Sequence, residues 1–192
     1  MPKLKFAFYT LVASILATPV IAEPVEFVFD HSHANISFNY NHLGFSQTDG
    51  RFKNWTGTLF IDEETPANSS VSVNIDMNSI TTFAADRDAH LKSPDFFDVA
   101  QFPNATFKSE KVVKTSENTL QVTGPLTIHG ISKPTTLEVL VRKIADHPMA
   151  KKKAAGFSVT TTINRSNFGV GAYTPYVGDE VKIVIETETL VK

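Results

Sequence analysis

Six histidines and a scatter of aspartates are the residues of this 192-residue chain whose types and spacing could do chemistry. Asp30, His31 and His33 stand together. In an extended segment residues two apart share a face, so His31 and His33 could chelate a metal or work with Asp30 as an acid/base pair. No third ligand lies at a telling spacing, and the competing reading is a set of hydrogen-bonding residues at the start of a strand. Asp86, Asp88 and His90 form a second cluster. There the carboxylates read as charges flanking Arg87 on a short helix, with a catalytic role as the alternative. No Gly-x-Ser-x-Gly elbow, His-Glu-x-x-His helix, Walker A loop or Rossmann fingerprint is present. With no cysteine in the chain, thiolate catalysis, zinc–thiolate sites, iron–sulfur clusters and disulfides are excluded.

The elements that would position these residues announce themselves by period two. Ala34, Ile36, Phe38 and Tyr40 alternate with Asn35, Ser37, Asn39 and Asn41, and Val71, Val73, Ile75 and Met77 alternate with polar residues. The pattern recurs around Leu120 and Val122, Leu126 and Ile128, Leu137 to Val141, Phe157 to Ile163, and Val181 to Ile185. These runs predict an all-β chain of about eight strands, as a sandwich or a closed barrel, since closure removes exposed edges. Thr81 to Phe102 breaks the pattern. It predicts two short helices capping one end, the second with Ser93 as N-cap and Pro94 in the first helical position, stopped by Pro103. Phe96, Phe97 and Phe102 are then available to plug that end. Phe52 to Ile61 is apolar on both faces, and its inward face is left open.

The N-terminus carries Lys3 and Lys5, an apolar run from Phe6 to Ala17, and small residues at Val20 to Ala22. That is the layout of a secretory signal cleaved after Ala22, leaving 23–192 as one domain bound for a periplasm. The apolar run is shorter than the roughly 20 residues a spanning helix needs, so no transmembrane segment is expected. A net charge of −2 without a basic stripe argues against nucleic acid, and the run Lys151 to Lys153 reads as a solvated hairpin loop. Fifteen phenylalanines against one Trp and four Tyr are a heavy load of side chains without a polar handle. They either fill the core or line a lumen, because an eight-stranded barrel is wide enough for either.

One set of motifs is more specific. His42-Leu43-Gly44-Phe45 with Gly50-Arg51-Phe52, then His90-Leu91 with Ser93-Pro94-Asp95-Phe96-Phe97, then Gly124-Pro125-Leu126-Thr127-Ile128-His129-Gly130 with Lys133-Pro134, and last Gly156-Phe157 and Phe168-Gly169 closely resemble the YceI-like family from about residue 25 onward. The resemblance implies an extended, lipocalin-like antiparallel barrel whose lumen holds a long amphiphile such as a polyisoprenoid or isoprenoid quinone. It implies a periplasmic carrier rather than an enzyme, without a cofactor beyond the bound lipid, and it allows a homodimer. Asn167 stands where the family often has Asp, and Ala172 to Tyr176 forms a local loop variant. On this reading Ile36, Phe38, Tyr40, Val73, Ile75, Phe107, Leu126, Ile128, Val139 and Phe157 line the lumen. Asn41, His42 and His90 form a polar mouth for the head group. The competing readings are a scaffold or stress protein acting through protein contacts, and a small-amphiphile hydrolase or isomerase with His33 or His90 as base.

Overall fold

A computed structural model describes residues 23–192, so the expected signal segment 1–22 lies outside the described residues. Twelve strands form one antiparallel sheet. They are β1 (Val25–Phe29), β2 (Asn35–His42), β3 (Ser46–Phe52), β4 (Trp55–Ile61), β5 (Ser70–Asp76), β6 (Ile80–Thr81), β7 (Asn104–Lys108), β8 (Lys111–Lys114), β9 (Thr119–Ile128), β10 (Ile131–Asp146), β11 (Lys153–Asn164) and β12 (Val177–Val191). Eight of them close a ring in the order β1, β4, β5, β7, β9, β10, β11, β12, with β12 pairing back onto β1. Closure leaves no edge within the ring.

The ring is built asymmetrically. The last residues of β12 pair with β1, while Val177 to Glu186 pair with β2, so β1 and β2 lie one after the other along the same strand. The sheet forks between them. β1 continues to β4 and closes the barrel; β2 continues to β3 and β6. The fork is held by the turn at residues 30–33, where the Asp30 N–H donates to the Glu188 carbonyl at 2.9 Å.

Local chemistry explains the main turns. His129 and Gly130 both take positive φ, 51° and 72°, which gives the tight β9–β10 hairpin the twist its strands require. Pro125 and Pro134 face each other across that hairpin. Gly124 lies where β9 passes from pairing with β8 to pairing with β7, and a Cβ there would collide with the Lys108 carbonyl. The lysine run does sit in the β10–β11 turn, with Lys151 left-handed and Lys153 already in β11, where it pairs with Glu63.

The expectation of two helices is corrected to one, α1 (Ala85–Lys92). Asp86 and Asp88 sit in its first turn, and the Asp88 carboxylate reaches back to accept from the Thr82 N–H and hydroxyl, both at 2.6 Å. Ser93 ends α1 instead of starting a second helix. It precedes Pro94, which drives it out of the helical region, and it is extended at ψ 169°. The following residues form turns closed by Phe96 and Asp98 N–H groups on the Ser93 carbonyl, with Asp98 left-handed at φ 41°.

Candidate functional site

The barrel encloses a cavity of about 820 Å³. Strand register shows how the sequence builds its wall. Leu120, Val139, Val159, Ile185 and Ile36 are successive cross-strand partners and form a girdle around half of the barrel. Val73, Phe107 and Leu126 are partners on the opposite wall, with Trp55, Ile75 and Ala105 one layer along. Every one of these side chains lines the cavity. β4 resolves its two-faced pattern by turning Trp55, Leu59 and Ile61 inward and leaving Phe60 at the surface.

The cavity has two chemically different ends. At the helix end lie His42, Leu43, Arg87, His90, Phe96, Phe97, Tyr173 and Tyr176, brought together by the β2–β3 turn, α1 and the loop before β12. His90 Nε2 is 3.3 Å from Asp95, and its ring stands edge-on to Phe96 at 5.0 Å and to Tyr173 at 6.0 Å. Arg165 is buried beneath this end. Its guanidinium donates to the carbonyls of Val170, Val177 and Gly178, which clamps the loop over the barrel, and burial pushes its pKa below the ordinary value. At the opposite, loop end lie Asp62, Glu63, Lys114 and Glu117. Asp62 is buried, and bonds from the Thr65 N–H, the Asn68 amide and the Glu64 N–H hold its carboxyl below the usual range.

All ten residues expected along the lumen, from Ile36 to Phe157, line this cavity, and so do His42 and His90. Asn41 does not. Its neighbours in β2 point inward, so Asn41 points out, where its side-chain oxygen accepts the Gly44 N–H at 2.8 Å and shapes the turn. Phe102 is also corrected: it does not line the cavity and packs instead on His129 of the β9–β10 hairpin, ring centres 4.5 Å apart. Arg87, Arg165, Leu43, Tyr173 and Tyr176 were missed. Leu43, Tyr173 and Tyr176 sit in turns and loops, Arg165 in a single 3-10 turn and Arg87 in the short polar helix α1, where no apolar period marks which way a side chain faces.

The histidine pair does not share a face, because residues 30–33 form a turn and not a strand. His31 packs against Trp55 at a tilt of 54° with ring centres 4.4 Å apart, while His33 Nδ1 bonds to Asp30 Oδ2 at 2.7 Å. Asp30 is held well below the usual carboxylate range by His33 and then by Ser32; His33 is pushed up by Asp30 and then Glu188. Glu188, remote in sequence, supplies a third group within 4.8 Å of the other two. These three could hold a divalent cation, but His33 Nδ1 is already engaged in the ion pair that holds the fork.

The model of the YceI-like domain matches residues 27–189. The chain belongs to the YceI-like family. A YceI protein of Salmonella arizonae is 38% identical over 178 residues, 92% of each chain. A UPF0312 protein of Vibrio parahaemolyticus is 38% identical over 168 residues, 86% of this chain and 88% of its own. Among solved structures, Burkholderia cenocepacia BcnA matches with a TM-score of 0.76 at 27% identity, covering 83% of this chain and 98% of that one. A polyisoprenoid binding domain from Saccharophagus degradans shares the fold at 13% identity and a TM-score of 0.65, over 88% of this chain and 99% of that one. These matches show that the fold is shared.

Proposed function

We propose that this YceI-like protein is a carrier that holds an isoprenoid lipid, or a similarly long amphiphile, inside its barrel, and that it works in the periplasm after removal of residues 1–22. The observation that carries this reading is the cavity of about 820 Å³ walled by girdles of Val, Ile, Leu and Phe. Ligand sites span roughly 300–1,000 Å³, so this one has the capacity of a large ligand. Water would fill it at a cost, since ordered water needs two to four polar partners and the middle of the lumen offers almost none. An apolar chain needs no such partners. A prenyl chain of about 40 carbons, at roughly 0.3 kcal/mol per heavy atom, reaches about 12 kcal/mol and nanomolar affinity without any polar motif.

The likeness to a domain described as polyisoprenoid binding agrees with this ligand class. His42 and His90, with Arg87 beside them, are the groups at the helix end able to orient a head group. A binding role is favoured over catalysis because the tighter of the two His–carboxylate pairs among the described residues, Asp30 and His33 at 2.7 Å, sits outside the cavity lining. Native mass spectrometry of the protein purified from its own cells, followed by solvent extraction, tests the reading. A prenyl compound at near-stoichiometric occupancy is expected. A ligand-free mass, unchanged after incubation with isoprenoid quinones, would overturn it.

A further inference from the structure

The most exposed aromatic side chains of the described residues gather at the helix end of the barrel. Phe45 is 90% exposed, Tyr176 75%, Phe83 70% and Tyr173 58%, with Leu43 at 48% beside them. They come from three separate segments. Leu43 and Phe45 sit in the β2–β3 turn, Phe83 stands just ahead of α1, and Tyr173 and Tyr176 lie in the loop before β12. The segments are tied together: the Leu43 N–H donates to the Tyr176 carbonyl at 3.1 Å, and the Tyr173 ring lies 6.0 Å from both His90 and Phe96.

The backbone makes this arrangement harder to explain as chance. Leu43, Phe83 and Tyr173 have φ of 57°, 62° and 63°. That is the left-handed region, where Gly or Asn is tolerated and a bulky side chain is an outlier. Gly or Asn would relieve the backbone at these positions, and Phe83 and Tyr173 nevertheless keep 70% and 58% of their surface exposed. Strain kept together with exposed apolar surface points to something outside the molecule.

We propose that this rim is a docking surface for a phospholipid bilayer, set so that the lumen opens onto the lipid. The inference rests on the carrier reading. Leu43, Tyr173 and Tyr176 belong both to the rim and to the cavity lining, so the apolar wall of the lumen runs out onto the surface without a break. A bilayer continues that wall, whereas a protein seated on the rim would stopper the opening. Tyrosine, apolar in its ring and polar at its tip, suits the membrane interface. Charge agrees. The lining carboxylates Asp62, Glu63 and Glu117 are at the loop end, while Arg87 lines the helix end and the Arg51 guanidinium lies 4.9 Å over the Phe83 ring. Of the carboxylates near this end, Asp88 is engaged by Thr82, Asp95 by His90 and Asp179 by Ser166.

The test is co-flotation with vesicles of phosphatidylethanolamine and phosphatidylglycerol, comparing the native chain with Phe45→Ser/Phe83→Asn; neither residue lines the cavity. The native chain is expected to float, and the variant to partition about tenfold less, as loss of two interfacial aromatics implies. Uptake of N-phenyl-1-naphthylamine in vesicle-free solution should be unchanged, and the urea midpoint equal or higher, since Asn suits the left-handed position better than Phe. A native chain that stays with the soluble fraction, or a variant that floats equally, overturns the proposal. A native chain that self-associates without floating, with the variant monomeric, assigns the rim to a second copy and also overturns it. Flotation without probe uptake would uphold the rim and instead sink the carrier reading.

Discussion

Asp30 and His33 show how far one pair of side chains can be read. Their types and spacing suggested a ligand or acid/base role, but the turn separates the two histidines and leaves His33 in an exposed ion pair beside Glu188. Its consequence is for stability. The depressed Asp30 stabilises the fold above the unfolded carboxylate value of about 3.9 and loses that contribution as pH falls through its folded value. The raised His33 stabilises below the unfolded imidazole value of about 6.5 and loses its contribution as pH rises through its folded value. Both act together between about pH 4 and 6.5. Replacing His33 with Asn should therefore lower the urea midpoint most near pH 5.5, with the gap from the native chain shrinking by about pH 9. A gap equal at both pH values would show that the pair does not couple to folding.

At the scale of elements, the constraint most worth testing is where β7 gives way to β8 beneath β9. Gly124 is buried there, and any side chain would enter the space of the Lys108 carbonyl, a backbone atom that cannot swing aside. Gly124→Ala should cost on the order of 1–3 kcal/mol, the usual range for overpacking, read as a lowered urea midpoint with an unchanged slope. Gly156→Ala is the control: its nearest neighbours would be at 3.8 Å, ordinary contact, so a similar loss there would mean that the argument from close approach is wrong. The same scale explains the missing second helix. Ser93 and Pro94 satisfy the preferences of a helix start, but Ser93 is the C-cap of α1, and the chain after it closes into turns on the Ser93 carbonyl and turns left-handed at Asp98 instead of propagating a helix.

For the whole molecule, the central quantity is the empty volume that the ring encloses. Val159 lies in the middle girdle, with Val139 and Ile185 as its cross-strand partners. Val159→Trp should place an indole in the lumen at a stability cost under about 1.5 kcal/mol, because the added atoms enter open space instead of a packed core. Bound lipid should fall sharply in the same protein, as seen by extraction and native mass spectrometry. Retained lipid at native occupancy would place the ligand elsewhere. Ligand at about 1,000 times its Kd should add roughly 4 kcal/mol to unfolding of the native chain, and much less to the variant.

The amino-acid sequence alone determined the all-β class, the inward face of most strands and the family, because a two-residue period and short Gly-, Pro- and His-bearing turn motifs are local properties. Ile36, Phe38, Val73 and Val139 could be assigned inward for that reason, and all of them line the cavity. Only the tertiary structure decided that β1 and β2 share β12 and fork around Asp30, that Glu188 stands beside His33, and that Leu43, Tyr173 and Tyr176 gather around one opening. Those are relations between segments far apart in the chain, carried by loops without a period, and they exist only once the ring has closed.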